Sequence, residues 1–341
     1  MRGGLHTLPQ QNKYAPMNTL MDMTTDLGVW LSNELTAVSG VMSDHLISKH
    51  EEVNVVCGEL AAYKGKMLRP SLLLLSWRAV SKEDAAPTAI RTAAAVVELI
   101  HLATLVHDDV LDEADIRRGA QTLNCLRGNE AAVMLGDYLL SSAFRLCSTI
   151  KNPELNLLLG EVTNTLCAGE LVQLSYRNNV DLDVDSYFQI IHDKTASLIA
   201  ASCEMGSMLG CNNDSFVSVL KDFGNSIGTA FQIKDDLLDL LAKRKDIGKP
   251  AGRDLEKGKL TLPVIIMLAK NPSLRPEVRA AIAHNDRVGL HGLLQSTGSI
   301  DAAFDVVGNL VDSAVLGVKN VLSNESSVQL CKLAEQLKRP F

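Results

Sequence analysis

A five-residue spacing of carboxylates, Asp-Asp-x-x-Asp, occurs twice in this chain, each time behind an apolar helical run. The first copy lies in HLATLVHDDVLDEADIRRG, His101 to Gly119, where Asp108, Asp109 and Asp112 follow Leu99, Ile100, Leu102, Ala103, Leu105 and Val106. The second lies in FQIKDDLLDL, Phe231 to Leu240, where Asp235, Asp236 and Asp239 follow Phe223, Ile227, Ala230 and Ile233. Residues four apart on a helix share a face, with Cβ atoms roughly 5–6 Å apart. Two unpaired carboxylates that close repel each other, and a hard divalent cation relieves them. Mg²⁺ bonds oxygen at about 2.0–2.1 Å and takes one or two carboxylates, several waters and phosphate oxygens. One such pair reads as a solvated acidic helix end. Two, on separate amphipathic helices, read as facing rows that hold a cluster of Mg²⁺ ions, completed by an oxygen-rich anion such as a diphosphate.

Such a site needs a large core, and the 341 residues, 46% hydrophobic and 4% aromatic, supply one. Length alone suggests roughly two domains at about 150 residues each. The two acidic motifs must meet in one site, however, and no Pro/Gly/Ser-rich linker separates them, so a single domain over 19–341 is expected. Residues 1–18 are polar, carry Gly and Pro, and lack the apolar core of a signal peptide, which reads as a frayed tail. No strand-like alternation of useful length occurs, so the fold class is all-α. No apolar run approaches the roughly 18 residues of a membrane helix. The net charge of −7 argues against a nucleic-acid partner. Seven cysteines, an odd number without a C-x-x-C pair, read as reduced core thiols of a cytoplasmic protein.

With acidic rows and a negative chain, local basic groups must help to hold an anion. In KGKMLRP, Lys66 and Arg69 flank the start of a helix, where charge and free backbone N–H groups act together. Lys194 and Thr195 sit in HDKTASLIAAS, an apolar stretch within a helix over 185–209, where a lysine either snorkels or pairs with an anion. Lys243 to Lys259 holds seven basic residues against three acidic, with three Gly and one Pro. Directly after a carboxylate row, it reads as either a solvated loop or a lid that brings lysines to a phosphate.

In motif order from Gly65 to Pro263 the chain presents GKMLRP, HLATLVHDDVLDEADIRRG, GELVQL, DKTA, FQIKDDLLD and GKPAGRDLEKGKLTLP. This series resembles the all-trans polyprenyl diphosphate synthase family, its long-chain type such as octaprenyl and heptaprenyl diphosphate synthases. Lys64 departs from it, standing where members commonly carry a second glycine. The resemblance implies one large helical bundle around a central deep cavity, the isoprenoid synthase fold, and a homodimer. It implies that Asp108, Asp112, Asp235 and Asp239 hold three Mg²⁺ ions on the diphosphate of an allylic primer. Arg117, Lys194, Thr195, Gln232, Lys249 and Lys259 would grip that diphosphate. Lys66, Arg69, His101 and Arg118 would bind isopentenyl diphosphate. His101 stands two helical turns before Asp108 and can share its face. The chemistry is ionisation of the primer, attack by the isopentenyl double bond and loss of a proton to pyrophosphate, with no protein nucleophile.

Product length depends on what blocks the passage beside the first acidic helix. Thr104 and Ala103, four and five residues before Asp108, are small where short-chain relatives resemble one another in carrying a bulky aromatic. Each further turn adds about 5.4 Å of depth, and the next obstructions are Leu99, Ile100, Val96 or Phe144. The expected product therefore has about seven to ten isoprene units, as for a quinone tail, with peripheral membrane contact for its release. The alternatives are a terpene cyclase, a short-chain farnesyl or geranylgeranyl diphosphate synthase, and a non-catalytic subunit of a heteromeric synthase.

Overall fold

The computed structural model describes residues 25–63, 65–83, 85–241 and 252–339; the expected tail 1–18, Lys64 and Lys249 lie outside them. Helix α1 (Asp26–Leu46) starts where the Thr25 hydroxyl accepts from the Gly28 N–H, and α2 (Glu51–Gly58) runs into a 3-10 turn, Glu59–Tyr63. Then come α3 (Leu68–Val80), α4 (Thr88–Leu111), α5 (Leu123–Arg127), α6 (Asn129–Ser148) and α7 (Pro153–Ser175). Pro153 opens α7 in its first position, where its missing N–H costs nothing, and Asn152 caps the Glu154 N–H. α8 (Val184–Ile191), capped by Asp183, leads to α9 (Ser197–Gly210) and α10 (Asp214–Leu241). The C-terminal part comprises α11 (Arg253–Glu256), α12 (Leu262–Lys270), α13 (Arg275–Ala283), α14 (Arg287–Ser296), α15 (Ser299–Lys319) and α16 (Glu325–Glu335).

The all-α expectation holds. Among the described residues, β structure is confined to a two-residue antiparallel ladder, β1 (Ile116–Arg117) with β2 (Ala120–Gln121). That ladder and α5 follow directly on the first acidic motif. Continuous helix over 185–209 needs correction. Between α8 and α9 the chain makes a π turn, His192–Ala196, in which the Ser197 N–H reaches back to the His192 carbonyl. A π turn inserts one residue into the helical ladder and rotates its side chains, a device frequent at functional sites.

α4 lies at the centre, against α6, α3 and α1, while α9 packs between α3 and α10, and α10 against α15. One apolar cluster runs from Leu27 to Ala334 and includes Leu72 to Leu75, Trp77, Val96, Leu99, Ile100 and Ile233. One expectation fails here: Thr88–Leu111 is long and apolar enough to cross a membrane by length and composition. The fold accounts for that composition, since 72% of the apolar window is buried inside the bundle. A helix apolar on all sides must be covered on all sides.

Candidate active site

The first carboxylate row stands where α4 ends. Asp112 is its C-cap, with its N–H on the Asp108 carbonyl, so both side chains leave the same end of the helix. His101, Leu105, Asp108 and Asp112 form the partly accessible stripe of α4, which keeps His101 on the acidic face as expected. The middle aspartate behaves differently. Asp109 is 1% exposed and accepts from Arg117 Nη2 at 2.7 Å, from Arg117 Nε and from the Tyr63 hydroxyl at 2.8 Å. The fivefold motif thus divides into two side chains that face the site and one that anchors Arg117.

The second row stands on α10. Gly228 lets that helix close on the π turn, where an added Cβ would lie 2.7 Å from the Ala196 Cα. Across this contact Thr195 donates to Gln232 at 2.7 Å, Gln232 donates to Asp236 at 2.8 Å, and the Tyr187 hydroxyl donates to the other Asp236 oxygen at 2.7 Å. Burial raises the Asp236 carboxyl to about 7, with Asp235 and Asp239 adding, against the two hydrogen bonds. Asp235 is the exposed member of the row. Asp239 accepts the Gly252 and Asp254 N–H groups at 3.0 Å each. In this conformation this member of the second row secures the start of α11.

Basic groups join the rows. Lys259 Nζ lies 3.1 Å from Asp112, and its backbone N–H donates to the Asp254 carbonyl. Lys194, on the π turn, bonds Glu170 at 2.5 Å and Gln173 at 2.9 Å. That approach depends on Gly169, where an added Cβ would fall 2.9 Å from the Lys194 backbone nitrogen. The charge balance still leaves the first row strained. Burial, with Glu170 and Asp112, pushes the Asp108 carboxyl up against the pull of Lys194 and Lys259. For Asp112 burial also raises, but Lys259 and Lys194 outweigh it and the carboxyl is lowered. Asp254 is raised well above the usual range by burial and by Asp236 and Asp239.

The second basic group is cationic almost throughout. His101 is held neutral, well below its ordinary value, by burial and then by Arg69, Arg118 and Arg117. Burial lowers Arg69 to about 10, and its buried Nε has no hydrogen-bond partner. Lys66 is lowered by burial and by Arg118. Glu98 offsets Arg69 and Arg118 from within α4, and its Oε2 is likewise without a hydrogen bond. Lys66, Arg69, His101 and Arg118 are therefore gathered as the sequence suggested, in an arrangement that an anion would relieve.

Several residues of the site escaped sequence reading. Glu170 and Gln173 share a helix face in GELVQL, and Glu98 interrupts the apolar run VVELI; both signals were available. Asp254 was hidden in a stretch read for its positive charge, and Tyr63, Asp109, Tyr187 and Asp236 act through tertiary contacts. The expected passage residues differ in burial. Leu99, Ile100 and Ala103 are fully buried, and Ala103 lies one turn before His107, whose ring packs on Gly136 of α6. Thr104 and Phe144 are the partly accessible ones.

Two carboxylate rows on facing helices, tied by lysines beside a cationic pocket, define an all-helical transferase site for phosphorylated substrates. The polyprenyl synthetase family model matches residues 50–289, and the chain belongs to that family. It is 37% identical to the octaprenyl diphosphate synthase of Escherichia coli over 257 residues, 73% of this chain and 78% of that one. Its fold is similar to a decaprenyl diphosphate synthase from Rhodobacter capsulatus, with TM-score 0.84, 32% identity, and coverage of 92% and 97% of the two chains. It is also similar to a polyprenyl synthase from Caulobacter crescentus complexed with calcium and isoprenyl diphosphate. There the TM-score is 0.83, the identity 29%, and the coverage 90% and 94%.

Proposed function

We propose that this chain is a Mg²⁺-dependent prenyltransferase. It would join isopentenyl diphosphate to an allylic diphosphate, giving an all-trans polyprenyl diphosphate of about seven to ten isoprene units. The observation that carries the reading is the pairing of two anion-demanding subsites, the acidic rows with Lys194 and Lys259, and the cluster of Lys66, Arg69, His101 and Arg118.

Asp108, Asp112 and Asp235, with Asp239, are hard oxygen donors that fit Mg²⁺, and Asp108 is a largely buried carboxyl with Glu170 and Asp112 beside it. Among the described residues no three Asp, Glu, His or Cys side chains form a ready-made metal cage. These residues would hold the ions, three in our reading, together with oxygens from diphosphate and water. Bound Mg²⁺ supplies Lewis acidity and neutralises charge on the leaving diphosphate.

Lys194, Lys259, Arg117, Thr195 and Gln232 orient the allylic diphosphate and stabilise the charge that develops as its C–O bond breaks. Lys66, Arg69, His101 and Arg118 hold isopentenyl diphosphate so that its double bond reaches the allylic carbon. A C–C bond forms there, and the proton then lost goes to the released pyrophosphate. His101, being neutral, serves as a hydrogen-bond donor. Lys249, expected to share this grip, lies outside the described residues.

We further propose a cytoplasmic homodimer that touches a membrane to release its product. The outer faces of α6 and α7 expose Met134 at 64%, Leu157 at 64% and Leu171 at 68%, with Val133 and Val172 beside them. Exposed large apolar side chains on two neighbouring helices support an interaction surface there. All seven cysteines are free thiols, in keeping with a reducing compartment.

The test is a product assay with labelled isopentenyl diphosphate, Mg²⁺ and, in turn, dimethylallyl, geranyl, farnesyl and geranylgeranyl diphosphates. Products of about seven or more units are expected. A stop at three or four units would favour the short-chain alternative, and no incorporation by folded protein would sink the reading.

A further inference from the structure

Arg117 and Arg118 are adjacent in sequence but serve different subsites, and the hairpin that carries them is short. A two-residue ladder is too small to be rigid by itself. Arg118 has a left-handed backbone, φ 52°, which a non-glycine residue adopts only when its surroundings hold it. Something outside the hairpin must therefore fix both side chains.

The contacts converge on Tyr63, the last residue of the 3-10 turn before the Lys66 loop. Its hydroxyl donates to Asp109 Oδ2 at 2.8 Å and accepts the Leu123 N–H at 3.1 Å. Asp109 in turn grips Arg117 through both Nε and Nη2. The Arg117 guanidinium lies 6.0 Å from the centre of the Tyr63 ring. On its other side, the Tyr63 backbone carbonyl accepts from Arg118 Nη1 at 2.5 Å. Gly65 leaves room for that guanidinium, since a Cβ there would fall 2.8 Å from Nη2. Tyr63 is 2% exposed, so water does not compete for the two bonds of its hydroxyl.

We infer that Tyr63 is a positioning residue that sets both arginines: its hydroxyl holds Asp109 and thereby Arg117, and its carbonyl holds Arg118. One residue, through its side chain on one side and its backbone on the other, thus registers the allylic and isopentenyl subsites against each other. This rests on the two-diphosphate reading of the site. The phenol is pushed up to about 12, by burial first and then by Asp109, against the Leu123 N–H and Arg117, so it remains a donor throughout the working pH range. With Arg117 Nε, Arg117 Nη2 and the Tyr63 hydroxyl all donating to its oxygens, Asp109 is held as an anchor for Arg117, which separates its role from those of Asp108 and Asp112.

The test is a double-mutant cycle of Tyr63→Phe with Arg117→Gln, with both substrates varied and melting temperatures recorded. Tyr63→Phe removes the hydroxyl but keeps ring and carbonyl. It should raise the KM of the allylic primer roughly tenfold while leaving that of isopentenyl diphosphate within about twofold, because the Arg118 contact survives. If Tyr63 acts through Arg117, the double variant is no worse than Arg117→Gln alone. Additive losses in the cycle, or equal changes in both KM values, would overturn the positioning role. Failure of the unsubstituted protein to join the two substrates would overturn the prenyltransferase reading and this role with it, a result visible before any substitution is made.

Discussion

Lys259 Nζ stands 3.1 Å from the Asp112 carboxylate, across 147 residues of chain. Through the bonds of Lys259 to Asp254, and of Asp254 to Asp239, this one ion pair links the first acidic row to the second. It is mostly shielded, with Lys259 only 11% exposed, and so escapes the screening that makes surface pairs weak.

Replacing Lys259 by Met should therefore do more than remove a surface charge. We expect kcat/KM for the allylic primer to fall about a hundredfold, the scale for losing one electrostatic contact to a developing charge. A steady-state assay with the primer varied checks this, and an unchanged value would place Lys259 outside the site.

Metal dependence should follow the first row. Chelation is expected to abolish turnover, with full recovery on adding Mg²⁺. Asp108→Asn should lower kcat by about a thousandfold or more and raise the Mg²⁺ concentration needed for half-maximal rate. Equal Mg²⁺ requirements in variant and parent would remove Asp108 from the ligand set.

Asp236 gives a stability signature. Its carboxyl is raised to about 7 in the fold, so the folded protein holds this proton more tightly than the unfolded chain does. The stabilisation is fully present below the ordinary aspartate value and is lost as pH rises through about 7. Metal-free protein should melt at progressively lower temperature between about pH 5 and pH 8. Asp236→Asn should flatten that slope; parallel slopes would refute the assignment.

Product length should answer to Thr104 more cleanly than to Ala103. Ala103 is fully buried, and Ala103→Tyr would overfill its surroundings at a cost of about 1–3 kcal/mol or more. Thr104→Phe projects from a partly accessible position and should shorten the product with a smaller loss of melting temperature. Chromatography of the dephosphorylated products decides between them; full-length product from Thr104→Phe would move the floor elsewhere.

The apolar faces of α6 and α7 should lie between two copies. Met134→Lys combined with Leu171→Glu is expected to give a monomer in sedimentation equilibrium. A parent that sediments as a monomer at micromolar concentration would end the homodimer proposal.

Much of this site was readable along the chain, because its parts are local. Asp108 and Asp112 are one helical turn apart, Lys66 and Arg69 flank one helix start, and α10 runs from Asp214 to Leu241 as its periodicity indicates. Helical spacing follows from backbone geometry, so such pairs can be placed without knowing what lies opposite. Which side chain of a motif faces the site could not be read this way. Asp108 and Asp109 are neighbours of identical chemistry. They diverge because Tyr63 and Arg117, distant in sequence or brought round by a hairpin, meet one and not the other.

The amino-acid sequence by itself determined the helical class, the two acidic rows and the basic stretches that accompany them, through composition and short-range periodicity. Tertiary structure decided the pairing of Lys259 with Asp112, the π turn that aims Lys194 and Thr195, the burial of Ala103, and the use of Asp109 as an anchor. Each of these depends on close packing between elements remote in the chain. A dense interior assigns every buried polar group a specific partner, and no local pattern encodes that choice.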